Sequence, residues 1–293
     1  MSEINYLNLE NVTLRYRLVY NPDSKTKASC LMLHGAGVGA DITYLPILEH
    51  LNYWRWILLP DLTGMGESYF LEKKEKPVSI DSLALEINAL LMSLEWDVFD
   101  LVGYSLGGLV GLRLNQLRKE QRKVPSKMAL LEPASLDRED LATLAIVRER
   151  YREASTVIRK TGDVEQGVAL FMNSVAPNRR KHPVAEATTQ SRLAHRPHGF
   201  AYALDAVTNW VQDMVNNPDA RNELIECVDS ALLLSGALSN EALRSHYDAL
   251  ASRYPNWRHS VLSGCDHSLP FQKPKRVAML LTDWFESELD SGE

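Results

Sequence analysis

Five short, uninterrupted apolar runs set the tightest limit on how this chain can fold: CLMLHG, WRWILLPDL, FDLVGYS, KMALLEP and SALLLSG. A strand with one solvated face alternates apolar and polar residues, whereas a strand covered on both faces reads as a continuous apolar stretch. Between several of these runs lie segments of helical period. In Ile80 to Trp96 the residues Leu83, Ile87, Leu90, Leu91 and Leu94 recur at three- and four-residue steps, and after Ser105 so do Leu106, Val110, Leu114 and Leu117. Strands alternating with helices imply βαβ units, and so an α/β fold with a mostly parallel central sheet covered by helices on both faces. Ahead of them Val12, Leu14, Tyr16, Leu18 and Tyr20 alternate with polar neighbours. Ile4 and Tyr6, then Leu7 and Leu9, do the same with a slip of phase, which predicts an opening antiparallel hairpin.

The alternation stops from about Leu136 to Cys227. That stretch is mostly of helical character, as in LDREDLATLAIVRERYREASTVIRK, and is broken by polar, proline-bearing segments at Pro177 and in HRPHG. A helical block of about ninety residues is too long for an ordinary connection. It predicts an inserted helical cap over residues 134–227, carried by a core of residues 1–133 and 228–293. Apolar residues on its helices, among them Phe171, Met172 and Trp210, either line a pocket facing the core or pack the cap's own interior.

Composition removes several function classes. Hydrophobic residues make up 45% and charged residues 24% of 293, the balance of an ordinary folded protein. Lys plus Arg total 32 against 38 Asp plus Glu, a net charge of -6, and no long basic run exists to neutralise a nucleic acid backbone or an anionic membrane. The first residues, MSEINYLNLENVTLRYRL, carry charges and lack the apolar stretch of a secretory signal, and no segment approaches the length of a membrane span. The expectation is a cytoplasmic protein with no membrane partner. Cys30, Cys227 and Cys265 are an odd number, widely spaced and without a CxxC pair, which argues against a disulfide framework and a zinc site. No metal or other cofactor is expected.

Gly103-Tyr104-Ser105-Leu106-Gly107 matches GxSxG, with the apolar run FDLVGY ahead of it and a helical pattern behind. A sharp strand-to-helix turn forces its central residue into an unfavourable backbone conformation, and neighbours without a Cβ relieve the crowding. The turn also sets the serine hydroxyl at a helix N-terminus, whose free N–H groups favour developing negative charge. Upstream, His34-Gly35-Ala36-Gly37 follows the run Leu31-Met32-Leu33, a glycine-rich turn whose backbone at Ala36 is placed to donate to an oxyanion. His34 itself reads as a scaffold histidine bonded to nearby backbone. The loop Asp61-Leu62-Thr63-Gly64-Met65-Gly66-Glu67-Ser68 reads as structural shaping of the site. Near the other end, HSVLSGCDHSLPF puts His267 on a loop just after an apolar run, at the carboxyl edge of the sheet where catalytic groups collect. His267 is the candidate base.

In this order the segments HGAG, DLTGMGES, GYSLGG and GCDHSLP resemble the oxyanion loop, the DxxGxGxS loop, the nucleophile elbow and the terminal histidine loop of the α/β-hydrolase superfamily. The resemblance covers roughly residues 1 to 132 and 230 to 290. It implies the α/β-hydrolase fold, with the backbone N–H groups of Ala36 and Leu106 as oxyanion donors. In one place the sequence departs from the family pattern. Members commonly carry the triad acid in a GxxD turn after the strand that follows the cap, but here Gly236 is followed three positions later by Ser239. A minority of the superfamily, haloalkane dehalogenases among them, instead place a glutamate at the end of the strand after the nucleophile helix, where KMALLEP puts Glu132. The alternatives are Glu132 and Glu241, the latter two residues past the usual slot and at the start of a helical pattern; Asp266 adjoins the base and is badly placed to orient it.

With serine as nucleophile, acyl transfer to water is the chemistry indicated. The expected protein is a carboxylic ester hydrolase with a Ser105, His267, Glu132 triad, acting on a small or medium ester as its small-molecule partner. The alternatives are a thioester or C–C bond hydrolase, and a non-catalytic small-molecule-binding protein that keeps the hydrolase fold.

Overall fold

The computed structural model describes residues 2–287. A hairpin of β1 (Ser2–Asn8) and β2 (Val12–Tyr20) leads into β3 (Ser29–Leu33), α1 (Ala40–Leu48), β4 (Trp56–Pro60), the two-residue β5 (Tyr69–Phe70) and α2 (Ile80–Ser93). These are followed by β6 (Asp100–Tyr104), α3 (Leu106–Lys119) and β7 (Met128–Leu131). Five helices intervene: α4 (Leu141–Thr161), α5 (Val164–Val175), α6 (Pro183–Leu193), α7 (Pro197–Asn216) and α8 (Asp219–Glu226). Then come β8 (Ala231–Gly236), α9 (Glu241–Arg253), β9 (Trp257–Leu262), α10 (Leu269–Gln272) and α11 (Pro274–Glu286). The sheet runs β1-β2-β4-β3-β6-β7-β8-β9, with β5 beside β2. All pairs from β4 to β9 are parallel and only those made by β2 are antiparallel, so this is the mostly parallel α/β architecture of the α/β-hydrolase fold.

Period 2 with apolar residues at both parities explains the uninterrupted runs. Leu31, Leu33, Leu101, Leu130 and Leu233 point to one face, where Leu83 and Ile87 of α2, Leu109 of α3 and Leu243 of α9 cover them. Met32, Val102, Ala129, Leu131, Leu232 and Leu234 point to the other, against Tyr44 and Ile47 of α1 and Val277, Leu281 and Trp284 of α11. Each fully buried side chain of this size stabilises by roughly 1.5–3 kcal/mol, so the strands have no choice of layer.

The edges behave differently from the centre. The phase slip in β1 separates Ile4 and Tyr6, which are 47% and 54% exposed, from Leu7 and Leu9, which pack on the core. In β2 the polar positions Thr13 and Arg15, expected on a solvated face, are buried. Arg15 is tolerated there because Asp41 of α1 accepts hydrogen bonds from both of its terminal nitrogens. Helix α2 opens with a reciprocal cap between Ser79 and Ser82 and ends at Ser93, short of Trp96; Glu95 takes φ 56 to turn the chain, and Trp96 still packs on the core. Helix α4 starts at Leu141 rather than Leu136, because the Asp140 side chain accepts from the Thr143 N–H and caps it there.

The inserted helices form an apolar cluster of their own, including Tyr151, Ile158, Val168, Phe171, Leu193, Phe200 and Leu204. Two arginines tie them to the segments that follow β7 and β4. The buried Arg148 of α4 donates to the Ala134 carbonyl and to Asp137, and Arg196, just before α7, reaches Glu75 and the carbonyls of Gly66 and Ser68. A Cβ on Gly199 would lie 1.8 Å from the Gly64 carbonyl oxygen, so that contact requires glycine. Among the described residues no helix is long and apolar enough to cross a membrane.

Helix α2 is tied to the loop after β4 by Thr63, whose hydroxyl donates to Glu86 at 2.6 Å. Burial pushes the Glu86 carboxyl up to about 7, with the Thr63 hydrogen bond opposing the shift. The folded protein therefore binds this proton more tightly than the unfolded chain does, so the group's stabilising effect is complete below the ordinary value of 4.5 and is lost as pH rises through about 7. Glu86→Gln keeps an acceptor for Thr63 and should stabilise the fold by on the order of 1 kcal/mol at about pH 8, with no gain at about pH 4.5. Thermal unfolding of both proteins at the two pH values measures this; an equal effect at both would contradict it.

Candidate active site

Strand register gathers the site. Tyr104 pairs with Leu131, Leu131 with Leu234, and Gly236 with Leu262, so β6, β7, β8 and β9 end along one edge of the sheet. The residues that follow them meet there: Ser105 after β6, Glu132 after β7, Ser239 after β8 and His267 after β9.

Ser105 has φ 52 and ψ -116, a backbone conformation that costs a residue with a side chain about 1–3 kcal/mol. The sheet enforces it. The Ser105 N–H donates to the Leu131 carbonyl at 3.0 Å, and the Ser105 carbonyl accepts from the N–H groups of Gly108, Leu109 and Ala134. The flanking glycines are needed for close approach. A Cβ on Gly107 would sit 2.1 Å from the Leu33 carbonyl oxygen, and one on Gly103 would sit 2.6 Å from the Gly108 Cα.

His267 Nε2 lies 3.1 Å from Ser105 Oγ, and its Nδ1 lies 2.8 Å from Glu132 Oε2. A carboxylate accepts hydrogen bonds, so Nδ1 carries the proton and the Nε2 lone pair faces the serine hydroxyl. The second carboxylate oxygen of Glu132 accepts from the Gly236 N–H at 2.8 Å and from the Ser239 hydroxyl at 2.5 Å. Glu132 is 2% exposed and sits at φ 46, a second tight turn at a strand end. Tyr104 donates its hydroxyl to the His267 carbonyl at 3.0 Å, and burial holds its phenol well above the usual range, so it stays a donor. All of Ser105, His267 and Glu132 are thus brought together.

Glu241 is not part of this cluster; it is exposed in the first turn of α9. Asp266 is engaged locally, accepting from the Ser268 N–H and from Gln272. His34 is fully buried, with Nδ1 2.7 Å from the Gly35 carbonyl and Nε2 accepting from the Leu62 N–H, and burial lowers its pKa against the opposing effect of Asp61. It braces two loops. Asp61 accepts from the N–H groups of Ala40 and Glu67, holding the glycine loop under α1. Ser239 was not expected as a site residue. Its only sequence signal is its place, three residues after Gly236, where the family pattern has an aspartate.

A cavity of about 30 Å³ opens at Ser105 and His267, with Ala36, Val38, Phe171, Met172, Leu193 and Phe271 as its apolar wall. Leu106 is the first residue of α3, so its N–H has no acceptor within the helix and lies directly after the serine. Phe171 and Met172 both line this cavity and pack the inserted helices' core, so the two roles coincide in the same side chains. Trp210 does not reach it; that ring lines a groove with Val78 and Ser79 on the α2 side. Among the described residues no cluster of three or more His, Cys, Asp or Glu side chains is arranged to hold a metal.

A family model described as "Alpha/beta hydrolase family" matches residues 30–280. A search of curated proteins found no match. Among solved structures, the chain is similar to a hydrolase from Pseudomonas aeruginosa, at TM-score 0.70 and 20% identity over 97% of this chain and 98% of that one. It is similar to the same degree to a thermophilic esterase from Thermogutta terrifontis, with the same identity, coverage and TM-score. A haloalkane dehalogenase from Agrobacterium tumefaciens matches at TM-score 0.71 and 16% identity over 98% of this chain and 97% of that chain. At these identities the likenesses establish the fold.

The packing at Gly107 leads to a direct test. Gly107→Ala should destabilise the protein by about 3 kcal/mol, because backbone cannot yield as a side chain can, whereas Gly162→Ala, at φ 75 with nothing within 4 Å, should cost about 1 kcal/mol. Urea unfolding of the two variants compares them, and equal losses would mean that strain in the turn matters and close packing does not.

Proposed function

This chain belongs to the alpha/beta hydrolase family, and we propose that it hydrolyses short carboxylic esters through an acyl-enzyme on Ser105. The observation that carries this reading is the unbroken line of contacts from Glu132 through His267 to Ser105, at 2.8 and 3.1 Å, opening on one cavity. As Ser105 Oγ attacks the ester carbonyl carbon, His267 Nε2 takes its proton, and Glu132 stabilises the imidazolium that forms. The carbonyl oxygen gains negative charge and accepts from the backbone N–H groups of Ala36 and Leu106. Collapse breaks the bond to the leaving alkoxide, which takes the proton from His267. Water, deprotonated by the same nitrogen, then releases the acid and restores the serine.

The mechanism needs no metal or cofactor. Ligand pockets usually span about 300–1,000 Å³, so a cavity of about 30 Å³ favours a short acyl group over a long one. Helices α4 to α7 act as a cap on this reading, since Phe171, Met172 and Leu193 form the wall opposite the core. Thioesters present the same carbonyl to the same groups. A purely binding role is not favoured, because the carboxylate missing after β8 is supplied by Glu132 after β7.

A series of p-nitrophenyl esters of graded chain length tests the proposal. The wild type should turn over the shortest acyl groups fastest, and Ser105→Ala should abolish turnover while remaining folded. Glu132→Gln should lower kcat by about three to four orders of magnitude with little change in KM, while Glu241→Gln stays within about threefold of wild type. Near-normal turnover by Ser105→Ala, or a collapse caused by Glu241→Gln, would overturn the assignment.

A further inference from the structure

Arg192, near the end of α6, lines the cavity that holds Ser105 and His267 and also the clefts on either side of it. It is half-buried, and its guanidinium stacks on Phe271 at 3.9 Å from the ring centre. No carboxylate or carbonyl accepts a hydrogen bond from it, and it forms no ion pair, among the described residues. By contrast Arg148, Arg179 and Arg196 each have a carboxylate partner, Asp137, Glu186 and Glu75 in turn. In the acidic cleft next to it no carboxylate among the described residues forms an ion pair with Arg192, and Glu67 lies 3.8 Å from Arg15. Asp41 there is taken up by Arg15 and Arg17, and Asp61 by the Ala40 and Glu67 N–H groups.

A charge partly withdrawn from water without an anion is costly, and burial lowers the pKa of Arg192. Arg192 is the one cationic guanidinium in a wall whose other groups are apolar, hydroxyl-bearing or the imidazole of His267, and, stacked flat on an aromatic ring, it presents its N–H edge to a ligand. A single guanidinium matches a monoanion with two coplanar oxygens, as a carboxylate presents them.

We infer that Arg192 is an anion subsite of the ester-hydrolysing cavity, and that the substrate is the monoester of a dicarboxylic acid whose free carboxylate pairs with this guanidinium while its ester carbonyl meets Ser105. This rests on the proposed esterase reading. It also reconciles a small cavity with a longer substrate, since the charged end lies at the junction of the cavity and the neighbouring cleft rather than in the apolar part. Hydrolysis then releases the alcohol and a dicarboxylate, whose second charge faces the same side chain.

The test uses ethyl monoesters of malonic, succinic, glutaric and adipic acids, each paired with its neutral terminal amide of the same length. For at least one length the wild type should show kcat/KM at least tenfold higher for the acid than for the amide, mainly through KM. Arg192→Met should reduce kcat/KM for that acid at least tenfold more than for its amide. Binding of the same monoesters to Ser105→Ala protein by calorimetry, with and without Arg192→Met, reads the subsite without turnover. Tighter binding of acid than amide that vanishes with Arg192→Met supports the inference even if no ester is cleaved, in which case the esterase reading alone fails. Ester cleavage with no acid preference at any length, or equal losses for acid and amide in Arg192→Met, overturns the inference and leaves the esterase reading standing.

Discussion

The parallel register of β6, β7, β8 and β9 is the constraint on which the site depends. These strands are apolar at both parities, so helices must cover both faces, and no one-residue slip can be tolerated without moving a neighbouring layer. Their shared edge then fixes where the following residues emerge. The strained turn at Ser105 persists because it is held by hydrogen bonds to β7 and to the segment after Glu132, and because glycines let α3 approach the end of β3. Backbone strain of this kind survives only where its surroundings over-determine it.

The position of Glu132 follows from the same edge. Glu132 leaves β7 at a positive φ, and its two oxygens are divided between His267 on one side and the Gly236 N–H and Ser239 hydroxyl on the other. The turn after β8, which lacks an aspartate, thus still contributes to the site by holding the carboxylate that comes from the next strand over. Three acceptor contacts on one buried side chain fix its orientation, and through it the tautomer and orientation of the imidazole. Tyr104 holds the same histidine by its backbone.

Much of this could be read from the sequence because its causes are local. A continuous apolar run reports burial on both faces, and GxSxG reports a turn with close backbone approach, so the strands and Ser105 follow from local signals; His267 follows from its loop at the carboxyl edge, whereas Glu132 entered through the family resemblance, with Glu241 as the alternative. Other features depend on residues far away in the chain. Arg15 looks like the polar side of a strand, and carboxylates distant in the chain, Asp41 by hydrogen bonds and Asp61 at 3.8 Å, let it be buried. Leu94 continues the period of α2, and neither glycine nor proline marks the stop at Ser93. Helical period likewise separates Phe171 and Met172 from Trp210 no better than chance, since it tells that a side chain is covered but not by what. Nothing in the sequence marks Arg192, and Ser239 is marked only by standing where the family pattern has an aspartate, because the missing partner of the one and the partner of the other exist only in three dimensions.

The claim at the centre of this account is that His267 activates Ser105 as a nucleophile. The rate and site of modification by a fluorophosphonate, followed by mass spectrometry of the wild type and of a folded His267→Gln variant, test it without any assumption about the substrate. The account predicts a single adduct on Ser105 in the wild type and modification slower by orders of magnitude in the variant. An adduct at another residue, no adduct at all, or equal rates in the two proteins would contradict it.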